Sequence, residues 1–156
     1  MRWAFPILRL GIYEDLRNRL RSTTPQYACL VAITTVSTAA GSREELAGTV
    51  EIAIRSSLSW QFRSSQYPYI SNLAVKKSCR RQGVARQLLL ACERTALEWG
   101  YSNLYLHVLE NNHHARQLYL KTGYELCQVE PSYGAWLLRH PKRLLLQKYL
   151  TPAPMS

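Results

Sequence analysis

The stretch YISNLAVKKSCRRQGVARQLLLACERTALEWG (69–100) constrains the fold more than any other. Its opening, YISNLAVK (69–76), reads as a strand. Val84, Leu88, Cys92, Ala96 and Trp99 then recur at intervals of three or four, which predicts an amphipathic helix over 84–99 with Gly100 as its stop. A strand that feeds a helix through so short a turn must lay that helix back on the sheet it joins. The turn itself is unusual in charge: residues 76–86 carry five cations, Lys76, Lys77, Arg80, Arg81 and Arg86, and no acid.

Length and apolar content (156 residues, 47% hydrophobic) suit a single domain, 1–156, with a real core over 27–150. No stretch approaches the roughly 18–20 consecutive apolar residues that a membrane span needs. The start, MRWAFPILRLG, has a short apolar run broken by proline and no small-residue cleavage site, so it does not read as a secretory signal. Cys29, Cys79, Cys92 and Cys127 are scattered, with no C-x-x-C pair and no nearby histidine partner. No metal is expected, and reduced thiols point to a cytoplasmic location, or to a plastid if a transit peptide is absent from this chain. The net charge of +10 implies an anionic partner. Outside 76–86 the charge is dispersed, without the long basic stripe and interleaved aromatics of a nucleic-acid binder, so nucleic acid is not the expected partner.

The remaining elements follow from pattern. GIYEDLRNRLRS spaces Ile12, Leu16 and Leu20 four apart and predicts a short helix. Residues 27–36 and 46–54 read as strands of a hairpin, with turn chemistry in STAAGSREE. Residues 55–68 are serine-rich and polar and read as a loop. Residues 103–109 alternate as a strand; Asn112 is placed to cap a helix running to Thr122, and Gly123 to stop it. Residues 124–129 and 143–150 complete the strands. This order implies a mixed sheet with helices packed on it: α/β, or α+β by stricter usage.

The charged turn lies at a helix N-terminus, where free N–H groups and the macrodipole favour an anion. Gly83 allows close approach to the backbone, Ala85 keeps the next position small, and the cations add charge. The arrangement suits a pyrophosphate. A Walker loop and a G-x-G-x-x-G fingerprint are both absent. Arg80-Arg81-Gln82-Gly83-Val84-Ala85 instead fits [Q/R]-x-x-G-x-[G/A], and NNHHARQLYLKTGY fits N-x-x-A-x-x-x-Y-x-x-x-G-[FY] at Asn112, Ala115, Tyr119, Gly123 and Tyr124. Two signatures in order, each after its strand, resemble the GNAT N-acetyltransferase superfamily over residues 27–150. The wording is most similar to members from cyanobacteria and plastids.

The resemblance implies a mostly antiparallel mixed sheet, splayed between its central strands, with helices on both faces. The family's N-terminal strand and first helix look short or missing, since only about 26 residues precede the strand at 27–36. It implies acetyl-CoA as co-substrate, its phosphates on Arg81, Gln82, Gly83, Val84, Ala85 and Arg86. The pantetheine arm would lie along Leu73, Ala74 and Val75, with Asn112 opposite, and Tyr119 would return a proton to the leaving thiolate. His107 is a candidate base or water-wire member, and Glu51 a weaker one. Each residue also has a plainer role open to it: Tyr119 as core, Asn112 as cap, His107 and Glu51 as satisfied strand residues. His113 and His114 are expected to be solvated, and Cys79 and Cys92 to be spectators.

The implied reaction is direct attack of an amine on the thioester in a ternary complex. The acceptor is a protein N-terminal α-amino group or lysine, with a polyamine- or aminoglycoside-type small amine as the alternative. A CoA-binding module without catalysis is a further alternative. Acceptor choice would lie in 55–68, the segment EPSYGAWLLRHP and the N-terminal helix, and no motif decodes these.

Overall fold

The computed structural model describes residues 9–13, 26–38, 41–56, 66–130 and 141–151. The strands are β1 (Arg9–Tyr13), β2 (Tyr27–Thr38), β3 (Gly41–Ser56), β4 (Gln66–Val75), β5 (Asn103–Leu109), β6 (Glu125–Glu130) and β7 (Arg143–Tyr149). The helices are α1 (Val84–Glu98) and α2 (His113–Lys121). The seven strands form one sheet in the order β1-β2-β3-β4-β5-β7-β6. Only β4 and β5 pair in parallel; every other neighbouring pair is antiparallel. The mixed, mostly antiparallel sheet expected from the sequence is present. Among the described residues no helix is long and apolar enough to cross a membrane.

The core lies between α1 and one face of the sheet. Cross-strand register sets Ala28, Ile52, Ile70, Leu106 and Leu146 in one buried row across five strands. Leu88, Cys92 and Ala96 of α1, fully buried at four-residue spacing, close over this face. Each fully buried large aliphatic side chain contributes about 1.5–3 kcal/mol. Burial pushes the Cys92 thiol up to about 12, which leaves it protonated and inert. The next row, Tyr27, Ala53, Tyr69, Tyr105 and Gln147, faces the other way.

Where α1 starts, Gly48 makes the close approach possible. A Cβ there would come within 2.7 Å of the Ala74 carbonyl oxygen, 3.1 Å of Leu88 Cδ1 and 3.2 Å of Val84 Cγ1. Glycine at this point lets the first turns of α1 settle on β3 while β3 stays paired with β4, Gly48 opposite Val75.

Three expectations are corrected. Gly11–Tyr13 belong to β1, not to a helix, and Leu16 and Leu20 lie outside the described residues. Ile12 satisfies a period of two with Leu10 as well as a period of four with Leu16 and Leu20, and pairing with β2 (Arg9↔Ile33 to Tyr13↔Cys29) decides between them. An N-terminal strand is therefore present, and it is short, at five residues. The polar stretch 55–68 is ordered at both ends, Arg55 pairing with Tyr67 and Ser56 with Gln66; residues 57–65 lie outside the description. The β2–β3 hairpin likewise extends beyond 36 and 46, to Thr38 opposite Gly41. Ladder hydrogen bonds carry these exposed ends, and hydrophobic patterning does not register them.

Between Thr49↔Ala74 and Glu51↔Ser71 the β3–β4 register shifts, so Val50 faces two residues, Asn72 and Leu73. This is a β-bulge, with Asn72 left-handed at φ 53° and its Nδ2 donating to Glu51 Oε2 at 2.8 Å.

Two stability effects are expected in urea denaturation. Gly48→Val overpacks the α1–β3 contact and costs about 1–3 kcal/mol. Asn72→Val forces a β-branched residue left-handed and removes the bond to Glu51, costing about 2 kcal/mol, whereas Asn72→Gly stays within about 1 kcal/mol of the parent.

Candidate active site

From Val75 the chain passes through a 3-10 turn (Lys77–Cys79) into α1, and two nearby residues adopt left-handed conformations, Arg81 (φ 63°) and Gly83 (φ 82°). Such alternation turns successive N–H groups toward one concavity that suits an anion. Gly83 is the N-cap and supplies no side-chain cap; the first helical bond runs from Gln87 N–H to the Gly83 carbonyl at 3.0 Å. The amides of Val84, Ala85 and Arg86 are thereby left without helical partners. Buried Val84 anchors this turn to the core, while Arg81, Gln82, Gly83 and Arg86 are exposed.

The cations around this nest differ in availability. Lys76 Nζ donates to Glu45 Oε2, which draws the Glu45 carboxyl below its ordinary value, and Arg80 Nε donates to the Val75 carbonyl at 3.2 Å. Gln82 Nε2 donates to the Ser78 carbonyl at 3.0 Å and so braces the turn. Among the described residues Lys77, Arg81 and Arg86 have no acidic partner and remain free to face an anion.

Beside this loop the sheet opens. β4 and β5 pair only at Tyr69↔Tyr105 and Ile70↔Leu106, after which they separate. The edge of β4 from Ser71 to Val75 borders the gap, and the bulge at Asn72 and Leu73 turns it further from regular pairing. Leu73 and Val75 pack against the core, whereas Ala74 is exposed. Sequence reasoning had marked Leu73, Ala74 and Val75 but missed Asn72. Its signal was an asparagine, tolerant of positive φ, inside an otherwise apolar strand.

α2 carries the remaining candidates, Asn112 at its start and Tyr119 near its end. Asn112 is its N-cap, with Oδ1 accepting from Ala115 N–H at 3.2 Å. Tyr119 is buried, and its ring meets Tyr124 edge-on at 5.9 Å. Its hydroxyl takes no hydrogen bond among the described residues. Burial raises the Tyr119 phenol above its ordinary value, and the nearby Tyr69 phenol adds to the effect. The two hydroxyls therefore approach the same region from α2 and from β4.

His107 sits one residue beyond the last β4–β5 pair, on the face away from α1. Its Nδ1 lies 2.8 Å from the Tyr69 hydroxyl and its Nε2 2.8 Å from Glu130 Oε1. Burial holds the imidazole below its ordinary value, and Glu130 opposes that shift. The Arg55 guanidinium lies 3.6 Å from the centre of the Tyr69 ring. Tyr69 and Glu130 are the side chains that sequence reasoning missed; neither lies in a motif, and each reaches His107 only through strand pairing. Glu51 is engaged by Asn72, and His113 and His114 are exposed.

A turn with unpartnered amides thus follows the strand at which the sheet parts, and two phenols and a hydrogen-bonded imidazole lie near that parting. A family model described as the acetyltransferase (GNAT) family matches residues 5–124. GCN5-related N-acetyltransferase 10, chloroplastic, of Arabidopsis thaliana is 32% identical over 92% of this chain. The chain spans 58% of that relative's length. Among solved structures, a Bacillus subtilis acetyltransferase in complex with CoA superposes with a TM-score of 0.62 at 17% identity, covering 92% of this chain and 99% of that one. NAA60 of Arabidopsis thaliana in complex with a bisubstrate analogue gives 0.61 at 22% identity, covering 80% and 77%. These likenesses are of fold. With its model matched over most of the length and both loop signatures in place on their elements, the chain belongs to the acetyltransferase (GNAT) family.

Proposed function

We propose that this single domain is an acetyl-CoA-dependent N-acetyltransferase that promotes direct attack of an amine on the thioester in a ternary complex. One observation carries the reading: the turn with its amide nest at residues 81–86 follows directly on β4, whose pairing with β5 stops at Ile70, and the buried Tyr119 phenol lies near Tyr69 of that same strand. The relatives are named N-acetyltransferases, and the Bacillus subtilis fold neighbour was solved with CoA, which supports acetyl-CoA as the co-substrate.

In this reading the amides from Arg81 to Arg86 and the free guanidinium groups hold the pyrophosphate. Leu73, Ala74 and Val75 offer main-chain donors and acceptors to the amide-bearing arm as an added strand would. A backbone N–H at the bulge faces the acetyl carbonyl and offsets the negative charge that grows on its oxygen during attack. Asn112 steadies the arm from the other side. Tyr119 returns a proton to the leaving sulfur. Its raised value keeps it protonated at neutral pH, and the same burial makes the thiolate a stronger base, so donor and acceptor remain near balance. The amine must shed a proton before attack, since α-amino and lysine groups, with values near about 8 and 10, are largely charged at neutral pH. His107, held below its ordinary value, receives that proton through Tyr69.

The acceptor we propose is a protein α-amino group or a lysine side chain. Glu51 and Glu130, on the face of the sheet that also presents Tyr69 and His107, favour approach of a cationic amine. The relatives' names place them in chloroplasts, and a plastid or cytoplasm-like compartment fits the free cysteines.

Two measurements test the reading. Gly83→Glu sets a carboxylate among the nest amides, and calorimetric titration with CoA should show binding weakened about 100-fold or more, the loss of one or two charge-assisted bonds worth about 1.5–3 kcal/mol each. Absence of CoA binding in the parent would sink the proposal. Tyr119→Phe should lower kcat by about 10²-fold with the KM for acetyl-CoA nearly unchanged, read with peptides bearing free N-termini or lysines and with spermidine as the small-amine control. CoA binding without turnover on any acceptor would mark a non-catalytic module.

A further inference from the structure

β6 is an edge strand whose burial runs against its chemistry. Leu126 and Val129 are exposed, and of its six residues only Glu130 is partly covered, its side chain 36% exposed. Drawing a carboxylate even partly out of water while its aliphatic neighbours stay exposed is unfavourable unless it is engaged. Glu130 is engaged with His107 on β5, and β7 lies between the two strands. A second irregularity makes that reach possible. The β6–β7 register shifts between Leu126↔Leu146 and Gln128↔Leu145, which leaves Cys127 as an extra residue. Without this bulge, strand alternation would direct Cys127 and Val129 to the side of His107. With it, Gln128 and Glu130 face that side, in line with Leu145 and Arg143.

Resting on the acetyltransferase reading above, we infer that Glu130 is a positioning residue that holds His107 as its Nε2–H tautomer, so that Nδ1 is free to take the proton of Tyr69. An ionised carboxylate has only acceptors, so the 2.8 Å contact with Nε2 requires the imidazole to donate there. A neutral imidazole then has only an acceptor at Nδ1, and the Tyr69 hydroxyl, 2.8 Å away, must donate to it. The phenol oxygen keeps its lone pairs for the incoming ammonium. As one ammonium N–H bond breaks and an O–H bond forms on Tyr69, the proton already on Tyr69 passes to Nδ1. The amine becomes neutral, the imidazole becomes imidazolium, and the Glu130 charge balances it. Arg143, 3.6 Å from Glu130 Oε2, holds the carboxylate from β7. Arg55, over the Tyr69 ring, favours negative charge on the phenol oxygen while the proton is in transit. Among the described residues, the charged and titratable groups on the relay's face thus include Glu51 and Arg55 of β3, Tyr69 of β4, Tyr105 of β5, Glu130 of β6, Arg143 of β7 and, beside Tyr69, Tyr119 of α2.

The experiment follows the imidazole nitrogens of histidine-labelled protein by NMR over a pH series, in the parent, Glu130→Gln and Glu130→Ala. The parent should show His107 as the Nε2–H tautomer, and Glu130→Ala should lose that preference. Glu130→Gln keeps the shape but not the charge, so the His107 titration should move about one pH unit lower, because the group favouring the imidazolium is gone. In turnover of acetyl-CoA with an acceptor peptide, Glu130→Gln should shift the rising limb of kcat to lower pH. Its plateau should fall about tenfold, part of the 10²–10⁴ that a positioned base supplies, with KM for acetyl-CoA unchanged. An unaltered tautomer and titration in both variants, or an altered tautomer with an unaltered kcat profile, would overturn the assignment. A parent that acetylates nothing overturns the acetyltransferase reading instead, and the NMR series still decides whether Glu130 controls His107.

Discussion

β4 and β5 hold together through two residue pairs, Tyr69 with Tyr105 and Ile70 with Leu106, and then part. A parallel pair inside an otherwise antiparallel sheet would normally continue to the strand ends, because unpaired main-chain groups are costly once shielded from water. Here the parting is sustained from both sides. The bulge at Asn72, tied to Glu51, turns β4 away, while β5 remains fully paired with β7 from Asn103↔Tyr149 to Leu109↔Arg143. The opening is therefore built by the register of its neighbours, and it exposes main chain beside the loop that carries the nest.

Around that opening the molecule separates its chemistry by face. On one face the row from Ala28 to Leu146 meets α1 and is apolar throughout. On the other, Tyr69, His107, Glu130 and Arg143 form a hydrogen-bonded and ionic chain across four strands. Alternation along each strand produces both sets, so the residues that stabilise the sheet and those that surround its opening are next to each other in sequence and on opposite sides in space. Tyr119 enters from α2, where Thr122 Oγ1 and the Tyr124 amide both bond its carbonyl and fix the end of the helix. The positive charge is also divided: Lys76 and Arg80 are spent on Glu45 and the end of β4, which leaves Lys77, Arg81 and Arg86 for an anion.

Much of this could be read from local pattern. The apolar spacing of α1, the cap at Asn112, the alternation of β5 and the basic turn ending in Gly83 each depend on residues within one or two turns of chain, and the structure has them within a residue or two. The N-terminal segment misled at its start: Ile12 fits a four-residue spacing with Leu16 and Leu20, while the described part, Arg9–Tyr13, is committed to β2 by pairing. The ends of β3 and β4 were hidden because serine, arginine and glutamine on an exposed ladder carry no hydrophobic signal. His107 could be singled out as a titratable residue on a strand, but its partners Tyr69 and Glu130 lie 38 and 23 residues away and could not.

What the sequence determined by itself was the succession of strand, basic nest, helix and capped second helix, because these are set by short-range periodicity, caps and charge. Tertiary structure alone decided where the sheet opens and which side chains meet there. Those outcomes turn on register: the one-residue bulges at Asn72 and Cys127 choose which face each following residue occupies, and a shift of one exchanges the solvent side for the core side.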